Sequence, residues 1–344
     1  MGFIVRDLND TGKLIASQLR RSGAGEGQRD GGGVQQLGGD KEKHNNAGQT
    51  GKGREGDVCE MAKEGGGVEA MRGKLRVAVI GDFLYDHYHL GESTRLSAEV
   101  PIPIVKIIDN FMLPGGAGNV ARNLQRLGVA TTWYAGDGLV PVKNRLMVGD
   151  HQLARWDVND VCQPWKGPLN YCFDAFVVAD YGKGAITSAV IEKIKQFKGP
   201  IFVDTKRDPS RWSGVATAIF PNASEFNKYF NQYLQPNYEG MVVMKRGHLG
   251  LDLYLNGVEQ TPNASSPAQA RFVRSVNGAG DSVMAAFVYK YLTDGKDEWG
   301  EQGQQYFYQN CLDFANAAAA CAVEAPYTYA PSLAEVEERY YRNE

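Results

Sequence analysis

The sequence predicts an α/β domain with a mostly parallel central sheet that carries helices on both faces. Three observations lead to this prediction: short apolar runs recur along the chain, helical stretches lie between them, and polar residues stand where the runs end. Runs of this kind suit strands that are buried on both faces, and strands that alternate with helices pair in parallel. Ligands of such sheets bind beyond the carboxyl ends of the strands.

The predicted elements follow one another from residue 74 onward. The nearly continuous apolar runs predict strands at residues 75–80, 175–179, 201–203, 216–220 and 241–244. The stretches between and after them predict helices at residues 119–127, 188–197, 223–233, 281–292 and 304–323. The order of these elements favours one domain that spans residues 74–344.

The first 73 residues differ in composition from the rest of the chain. They hold 18 of the 41 glycines and only one aromatic residue, Phe3. Residues 22–70 contain few large apolar side chains, so they cannot bury enough surface to offset the entropy of ordering. We therefore expect residues 1–73 to be a disordered leader. Met71 directly precedes the first strand of the folded domain.

Charge, apolar runs and cysteines exclude several classes of protein. The formal net charge of −3 gives no electrostatic reason to expect nucleic acid as a partner. No run approaches the roughly 18 apolar residues that a membrane-spanning helix needs. The five cysteines show no C-x-x-C pairing, so no zinc site is indicated, and the sequence favours a reducing cytoplasm.

The segment Ser275-Val-Asn-Gly-Ala-Gly-Asp-Ser282 is typical of phosphoryl transfer. Gly278 and Gly280 lack side chains and let backbone N–H groups converge on an anion, and the helix that follows adds unpaired donors and a positive dipole end. Asp281 would then face the transferred phosphate, where it can take a proton from an attacking hydroxyl. An ordinary helix cap after a glycine turn explains a lone Gly-x-Gly-Asp equally well.

Polar residues at other strand ends favour the functional interpretation. Each of these residues alone is a weak indication of a functional site, because an Asp at a strand end is often a turn former or a helix cap. In a parallel sheet, however, they converge on one edge. These residues are Asp82, Asp86, Asp180, Asp204, Asn222 and Lys245.

An ordered set of motifs resembles the ribokinase-like, PfkB-type sugar kinases. The set begins with Gly81-Asp-Phe-Leu-Tyr-Asp86, the segment from Ser93 to Lys106, and Pro114-Gly-Gly-Ala-Gly-Asn119. It continues with Ala179-Asp-Tyr-Gly-Lys-Gly184, Val203-Asp-Thr-Lys206, Pro221-Asn-Ala-Ser-Glu225, Asn277-Gly-Ala-Gly-Asp281 and Phe314-Ala-Asn316. Within the family these motifs look most like the heptose 7-phosphate kinases. The resemblance covers roughly residues 74–340.

The resemblance implies a three-layer fold with a small β lid at about residues 88–106, and a role for each matching residue. Asp281 corresponds to the catalytic base, and Gly278, Ala279 and Gly280 correspond to the anion hole for the transferred phosphate. The sugar ligands correspond to Asp86 and Asn119, with Gly115 and Gly116 beside them. The nucleotide site corresponds to Asn222, Glu225, Lys245, Gly247, Gly250 and Asn316, with Glu225 organising Mg²⁺ through water.

The activity that the resemblance implies is transfer of phosphate from ATP to the anomeric hydroxyl of a heptose 7-phosphate. ATP and Mg²⁺ are the expected cofactors, a monovalent cation is left open, and the lid is the expected contact of a homodimer. A substrate that already carries a phosphate needs a cation to receive it. The candidates are Arg95, Lys143, Arg145 and Lys183.

Two departures from the family pattern keep alternatives open. Gly136-Asp-Gly138 runs almost directly into Pro141-Val-Lys-Asn-Arg145, so one βα unit is predicted to be missing near residues 138–141. The chain also shows no His-x-Gly-His signature of a nucleotidyltransferase, which predicts a kinase only. A kinase for another sugar, or an inactive protein that binds a sugar or nucleotide, remains an alternative. A Rossmann dehydrogenase is disfavoured because Gly115-Gly-Ala-Gly118 does not follow the first strand.

Overall fold

The computed structural model describes residues 3–5, 74–230, 240–260, 270–294 and 300–342. Of the leader predicted over residues 1–73, only Phe3–Val5 is described, and it forms a strand. The rest of that prediction lies outside the described residues.

A large mixed sheet forms the centre of the domain. Its order is β1-β5-β2-β8-β9-β10-β11-β12-β13, and the strands from β5 to β11 run in parallel. β1 pairs with β5 in the antiparallel sense, as do β12 and β13 at the opposite edge. The strands are β1 Phe3–Val5, β2 Arg76–Gly81, β5 Ala130–Ala135, β8 Ala175–Asp180, β9 Ile201–Thr205, β10 Ala218–Ile219, β11 Met241–Lys245, β12 Leu251–Leu255 and β13 Val258–Glu259.

Helices cover both faces of this sheet, as the sequence predicts. The helices are α1 Ala117–Arg126, α2 Ser188–Ile194, α3 Ala223–Tyr229, α4 Ala279–Thr293, α5 Gly300–Glu324 and α6 Leu333–Arg342. Side chains alternate along β9, so that Val203 joins the core that contains Ile191 of α2. Phe202 points to the other face, where its ring lies 6.4 Å from that of Phe287 in α4. Both β8 and β9 are buried along their whole length, which explains their continuous apolar runs. None of the described helices is long and apolar enough to cross a membrane.

A second sheet of the described residues forms the lid and is larger than predicted. Its order is β4-β3-β6-β7, with β3 at Phe83–Leu96, β4 at Pro103–Gly116, β6 at Val142–Val148 and β7 at His151–Val158. The predicted lid at residues 88–106 covers only part of the first two strands. β6 adds in parallel to β3, and β7 adds in the antiparallel sense to β6. The lid therefore brings residues 142–158 beside Asp86.

The link between β5 and β6 takes the chain from the central sheet into the lid without an intervening helix or strand. Residues 136–141 contain neither helix nor strand, so the chain passes from the central sheet directly into β6. This agrees with the βα unit that the sequence predicts to be missing near residues 138–141.

Candidate active site

A cavity of about 1010 Å³ lies at the carboxyl ends of the central strands. Its lining includes Tyr181 directly after β8, Asp204 in β9, Lys245 at the end of β11 and the start of α4. Lid residues of β3, β6 and β7 line the same cavity. The edge of the sheet that the sequence singles out is therefore the edge that carries the cavity.

The start of α4 depends on glycine at position 278. Gly278 precedes the helix with a φ of 80°, in the left-handed region that favours glycine. A Cβ atom at this position would lie 2.6 Å from Nδ2 of Asn119, which is too close. The first-turn amides of a helix have no carbonyl partner within the helix, and here Gly278, Ala279 and Gly280 line the cavity. This end of α4 is suited to an anion.

Asp281 lies in the first turn of α4, and both of its carboxylate oxygens accept a hydrogen bond. Oδ2 accepts one from Nδ2 of Asn119 at 2.7 Å, and Oδ1 accepts one from the hydroxyl of Tyr181 at 2.5 Å. Burial raises the pKa of Asp281 to about 6, although these two hydrogen bonds and the nearby Lys245 oppose the rise. Asp281 is therefore ionised at neutral pH and is a stronger base than an exposed aspartate.

Polar side chains behind Asp281 hold its partner Asn119 in place. Asn119 is fully buried in α1, and its backbone oxygen accepts a hydrogen bond from Nδ2 of Asn123 at 2.9 Å. Ser282 donates to Oδ1 of Asn123 at 2.8 Å, which closes the network back onto α4. Asn119 does not line the cavity. It contacts Asp281 from the helix side.

Lys245 places a positive charge beside the start of α4. Its Nζ lies 2.6 Å from Oδ2 of Asp204, and both side chains are largely buried. A Cβ atom at Gly280 would lie 3.4 Å from that Nζ, so glycine lets the helix approach the ammonium group closely. The N–H groups in the first turn of α4 and the ammonium group of Lys245 therefore lie close together.

Asn222 and Glu225 form a capping box at the start of α3. The backbone N–H of Glu225 donates to Oδ1 of Asn222 at 2.8 Å, and that of Asn222 donates to Oε2 of Glu225 at 2.9 Å. This arrangement explains the Asn-x-x-Glu spacing as helix capping. Both residues also line the cavity, and Oε1 of Glu225 has no hydrogen-bond partner among the described residues. Mg²⁺ keeps several waters and takes one or two carboxylates beside substrate phosphates, so a free carboxylate oxygen here fits it.

The lid end of the cavity contains several cations. Asp86, in β3, is buried and accepts hydrogen bonds from Nε and Nη2 of Arg145 at 3.1 and 2.9 Å. Lys143 lies two residues earlier in β6, and burial together with the nearby Arg155 lowers its pKa. Arg155, in β7, is paired with Asp157 at 2.6 Å and lines the cavity as well.

The structure brings together most of the residues that the sequence proposes for the site. The proposed residues that line the cavity are Asp86, Gly116, Lys143, Arg145, Asn222, Glu225, Lys245, Gly247, Gly250, Gly278, Ala279, Gly280, Asp281 and Asn316. Gly115 lies behind the cavity, where a Cβ atom would be 2.6 Å from Oδ2 of Asp86. Arg95 and Lys183 do not line the cavity: Arg95 is exposed on β3, and Lys183 is paired with Asp160.

The cavity also contains polar side chains to which the sequence assigned no place in the site, among them Tyr181, Lys206, Thr328 and Arg155. Asp204 was named at a strand end but was given no role. Tyr181 and Lys206 lie in motifs that follow buried strands, and that position is a signal that could have found them. Arg155 had no such signal, because its place depends on the pairing of β7 with β6 in the lid.

The fold and the site define a class of enzyme, the kinases with the ribokinase fold. The structure of Arabidopsis thaliana ribokinase with ribose and ATP matches with a TM-score of 0.56 and 18% identity, over 78% of this chain and 98% of that chain. Phosphofructokinase-2 from Escherichia coli matches with a TM-score of 0.56 and 15% identity, over 78% of this chain and 99% of that chain. These likenesses show the fold.

Sequence comparison identifies the family within this class. Residues 171–335 match the family described as pfkB family carbohydrate kinase, and the chain contains a carbohydrate kinase domain of that family. Two similar proteins are both named "Bifunctional protein HldE". The one from Hydrogenovibrio crunogenus is 27% identical over 77% of this chain and 63% of that protein. The one from Campylobacter jejuni is 29% identical over 77% of this chain and 64% of that protein. The chain thus spans just under two thirds of the length of these relatives.

Proposed function

We propose that the protein transfers the γ-phosphoryl group of ATP to the anomeric hydroxyl of a heptose 7-phosphate, giving the 1,7-bisphosphate. The observation that carries this proposal is the placement of the partly buried carboxylate Asp281 in the first turn of α4, near the cation Lys245. A base, unpaired amides and a cation at one point are what phosphoryl transfer to a hydroxyl requires.

Asp281 is the base in this reaction. The anomeric oxygen attacks the γ-phosphorus, its proton passes to the carboxylate of Asp281, and the bond from phosphorus to the β-bridging oxygen breaks so that ADP leaves. A pKa of about 6 leaves the carboxylate ionised at neutral pH, yet close enough to the working pH to accept a proton efficiently. The first-turn amides and Lys245 stabilise the charge on the transferring group.

The nucleotide side of the cavity is formed by residues after β10 and β11. Gly247 has a φ of 60° and open space around its Cα, which leaves room for a bound group close to the backbone. Glu225 would hold Mg²⁺ through water, and Asn222 and Asn316 line the same cavity. When bound, Mg²⁺ supplies neutralisation of the charge on the β- and γ-phosphates.

The acceptor side supports a phosphorylated sugar. Lys143, Arg145 and Arg155 project from the lid into the cavity, whereas Asp86 supplies a carboxylate for sugar hydroxyls. An anionic acceptor would be attracted to this group of cations. Heptose 7-phosphate is proposed in particular because the segments Ser93–Pro103 and Pro114–Asn123 resemble those of heptose 7-phosphate kinases.

The test is ATP turnover with a panel of acceptors, with K⁺ and Na⁺ compared. We expect a higher kcat/KM for heptose 7-phosphate than for ribose, fructose or fructose 6-phosphate, and little turnover without a sugar. Preference for an unphosphorylated sugar would favour the alternative of a kinase for another sugar. Binding of ATP without turnover of any acceptor would favour an inactive binding protein.

We also propose that two copies of the chain associate through the lid. β4 exposes the apolar side chains of Ile104, Ile107 and Ile108, and a second copy would cover part of this apolar surface. Sedimentation analysis of the purified protein tests this proposal, and a monomer at all concentrations would contradict it.

A further inference from the structure

Tyr181 lines the cavity but has no role in the reaction proposed above. It follows the last residue of β8, and its hydroxyl donates a hydrogen bond to Oδ1 of Asp281 at 2.5 Å. Burial, followed by the negative charges of Asp281 and Asp204, raises the pKa of Tyr181 well above its usual value. Its hydroxyl therefore keeps its proton, and stays a hydrogen-bond donor, at every pH at which the enzyme works.

The surrounding structure fixes the ring of Tyr181. The preceding residue, Asp180, is fully buried and accepts hydrogen bonds from Nη2 of Arg207 at 2.8 Å and from the hydroxyl of Thr205 at 3.1 Å. Nζ of Lys206 lies 5.1 Å from the centre of the Tyr181 ring, within the range of a cation–π interaction. The donor to Asp281 is thus anchored both through its backbone and across its ring.

Tyr181 and Asn119 bind different oxygens of the same carboxylate. Asn119 donates to Oδ2 and Tyr181 donates to Oδ1, so together they set the plane of the carboxylate. A carboxylate oxygen has two lone-pair sites, and one site on each oxygen remains for an incoming hydroxyl. Both donors are neutral, and a hydrogen bond from a neutral donor stabilises the ionised form without adding charge.

We propose that Tyr181 is a positioning residue for the base: its hydroxyl orients the carboxylate of Asp281 and keeps it ionised for proton abstraction. This inference rests on the proposed function, because it assigns Tyr181 to the same transfer step. The charged groups that face Asp281 from neighbouring elements are Asp204 on β9 and Lys245 on β11, and they are paired with each other. Tyr181 supplies the neutral hydrogen bond that favours the ionised carboxylate from the end of β8.

The test is the pH profile of kcat/KM for Tyr181→Phe. In the wild type, activity is present above the pKa of Asp281, about 6, and is lost as the pH falls through it. Without the hydroxyl, the pKa of Asp281 rises, so the acidic limb moves to higher pH. We expect about a tenfold loss near pH 6, the scale for a hydrogen bond to a charged group, and a smaller loss at pH 8. The KM for ATP stays unchanged.

Tyr171→Phe is the matched control, because the hydroxyl of Tyr171 donates to the backbone oxygen of Lys193 at 2.9 Å, outside the cavity. A loss in Tyr181→Phe that is the same at every pH, or no loss, would overturn the inference. If that variant does not fold, 3-fluorotyrosine at position 181 keeps the shape and provides a stronger donor. The limb should then move to lower pH, and an unmoved limb would overturn the inference.

A separate measurement distinguishes failure of this inference from failure of the proposed function. If the wild type turns over no sugar, the proposed function fails. The pKa of the Asp281 carboxyl can still be measured by ¹³C NMR in the substrate-free wild type and in Tyr181→Phe. A higher pKa in the variant supports the effect of Tyr181 on Asp281, and equal values overturn it.

Discussion

The two ends of the cavity are built from different parts of the chain and differ in how their charges are paired. At the transfer end, Asp281 accepts two hydrogen bonds and Lys245 is paired with Asp204, on elements of the central sheet and the helices α1 and α4. At the acceptor end, Lys143 has no hydrogen-bond or ion-pair partner among the described residues, although burial already lowers its pKa.

This difference separates chemistry from recognition. The transfer end is organised before any ligand binds, as catalysis by fixed dipoles requires. At the acceptor end the half-buried ammonium group of Lys143 feels the charge of Asp86 without being paired with it, on a sheet whose outer strand β7 is exposed along its length. Removing a cation from water is costly, and an anionic ligand relieves that cost. Function at the two ends should therefore respond differently to substitution.

The largest effect is expected for Asp281→Asn. This variant keeps the size of the side chain but cannot accept the proton, so kcat should fall by about 10²–10⁴-fold, the usual contribution of a positioned base. ATP binding, measured by calorimetry, should be retained because the amides and Lys245 are unchanged. Asp208→Asn is the matched control, since Asp208 caps a short 3₁₀ helix outside the cavity and asparagine caps equally well. Turnover near the wild-type rate in Asp281→Asn would remove Asp281 from the reaction.

Smaller but more selective losses are expected at the acceptor end. Lys143→Met and Arg155→Met should each raise the transition-state free energy by about 2–5 kcal/mol for a phosphorylated sugar if they hold its phosphate, and should affect an unphosphorylated sugar little. The measurement is kcat/KM for heptose 7-phosphate and for ribose. Arg145→Met should harm both acceptors, because it also leaves the buried Asp86 without its partner.

Lys106→Met is the matched control for these cations, because Lys106 is exposed on β4 and does not line the cavity. Arg95→Met and Lys183→Met rank the other two candidates. A selective loss at Arg95 or Lys183, with none at Lys143 or Arg155, would contradict the acceptor end as described.

The transfer end of the cavity was easier to predict from the sequence than the acceptor end. The transfer end could be predicted because its residues are set by local patterns: Gly278 and Asp281 share one turn, and Lys245 ends an apolar strand. Even here the resemblance suggested a nucleotide-binding role for Asn222 and Glu225, with Mg²⁺ at Glu225, and their capping box was missed, since a single spacing serves both purposes. Tyr181 lies in one of the motifs that resemble the family. Its hydrogen bond could not be predicted from that motif, because it joins residues 100 positions apart.

The acceptor end and the lid were harder to predict because they depend on pairing between distant strands. The main strands and helices of the central sheet were predicted from periodicity, whereas β5, β12 and α6 were missed. Strands β6 and β7 were missed as well, since neither is a continuous apolar run. Arg155 reaches the cavity only because β7 pairs with β6 in a fixed register, with Arg155 opposite Arg145. A register of this kind cannot be read from one strand alone.

Gly278 and Gly128 both have a left-handed backbone conformation but differ in what surrounds them. Gly278→Ala forces a Cβ atom to within 2.6 Å of Nδ2 of Asn119, while Gly128→Ala introduces the same left-handed strain into open space. Both should lose about 1–2 kcal/mol of unfolding free energy from backbone strain. Only Gly278→Ala should also lose kcat, because it displaces a hydrogen-bond donor of Asp281. Urea unfolding and turnover of both variants measure this. Equal kcat in the two variants would show that the position of Asn119 does not matter.

The smallest effect is expected from removal of the leader. We propose that a chain beginning at Met71 retains its kcat/KM. Its unfolding free energy should fall by on the order of 1–2 kcal/mol, because the pairing of Phe3–Val5 with the edge of β5 is lost. Ile4→Pro in the full chain is the matched control, because proline removes a backbone donor from the strand that pairs with β5 while the leader stays in place. If both variants lose similar stability and keep full turnover, the contribution of the leader is confined to the sheet edge. If only the shortened chain loses turnover, residues of the leader act at the cavity, and the site includes more than its transfer and acceptor ends.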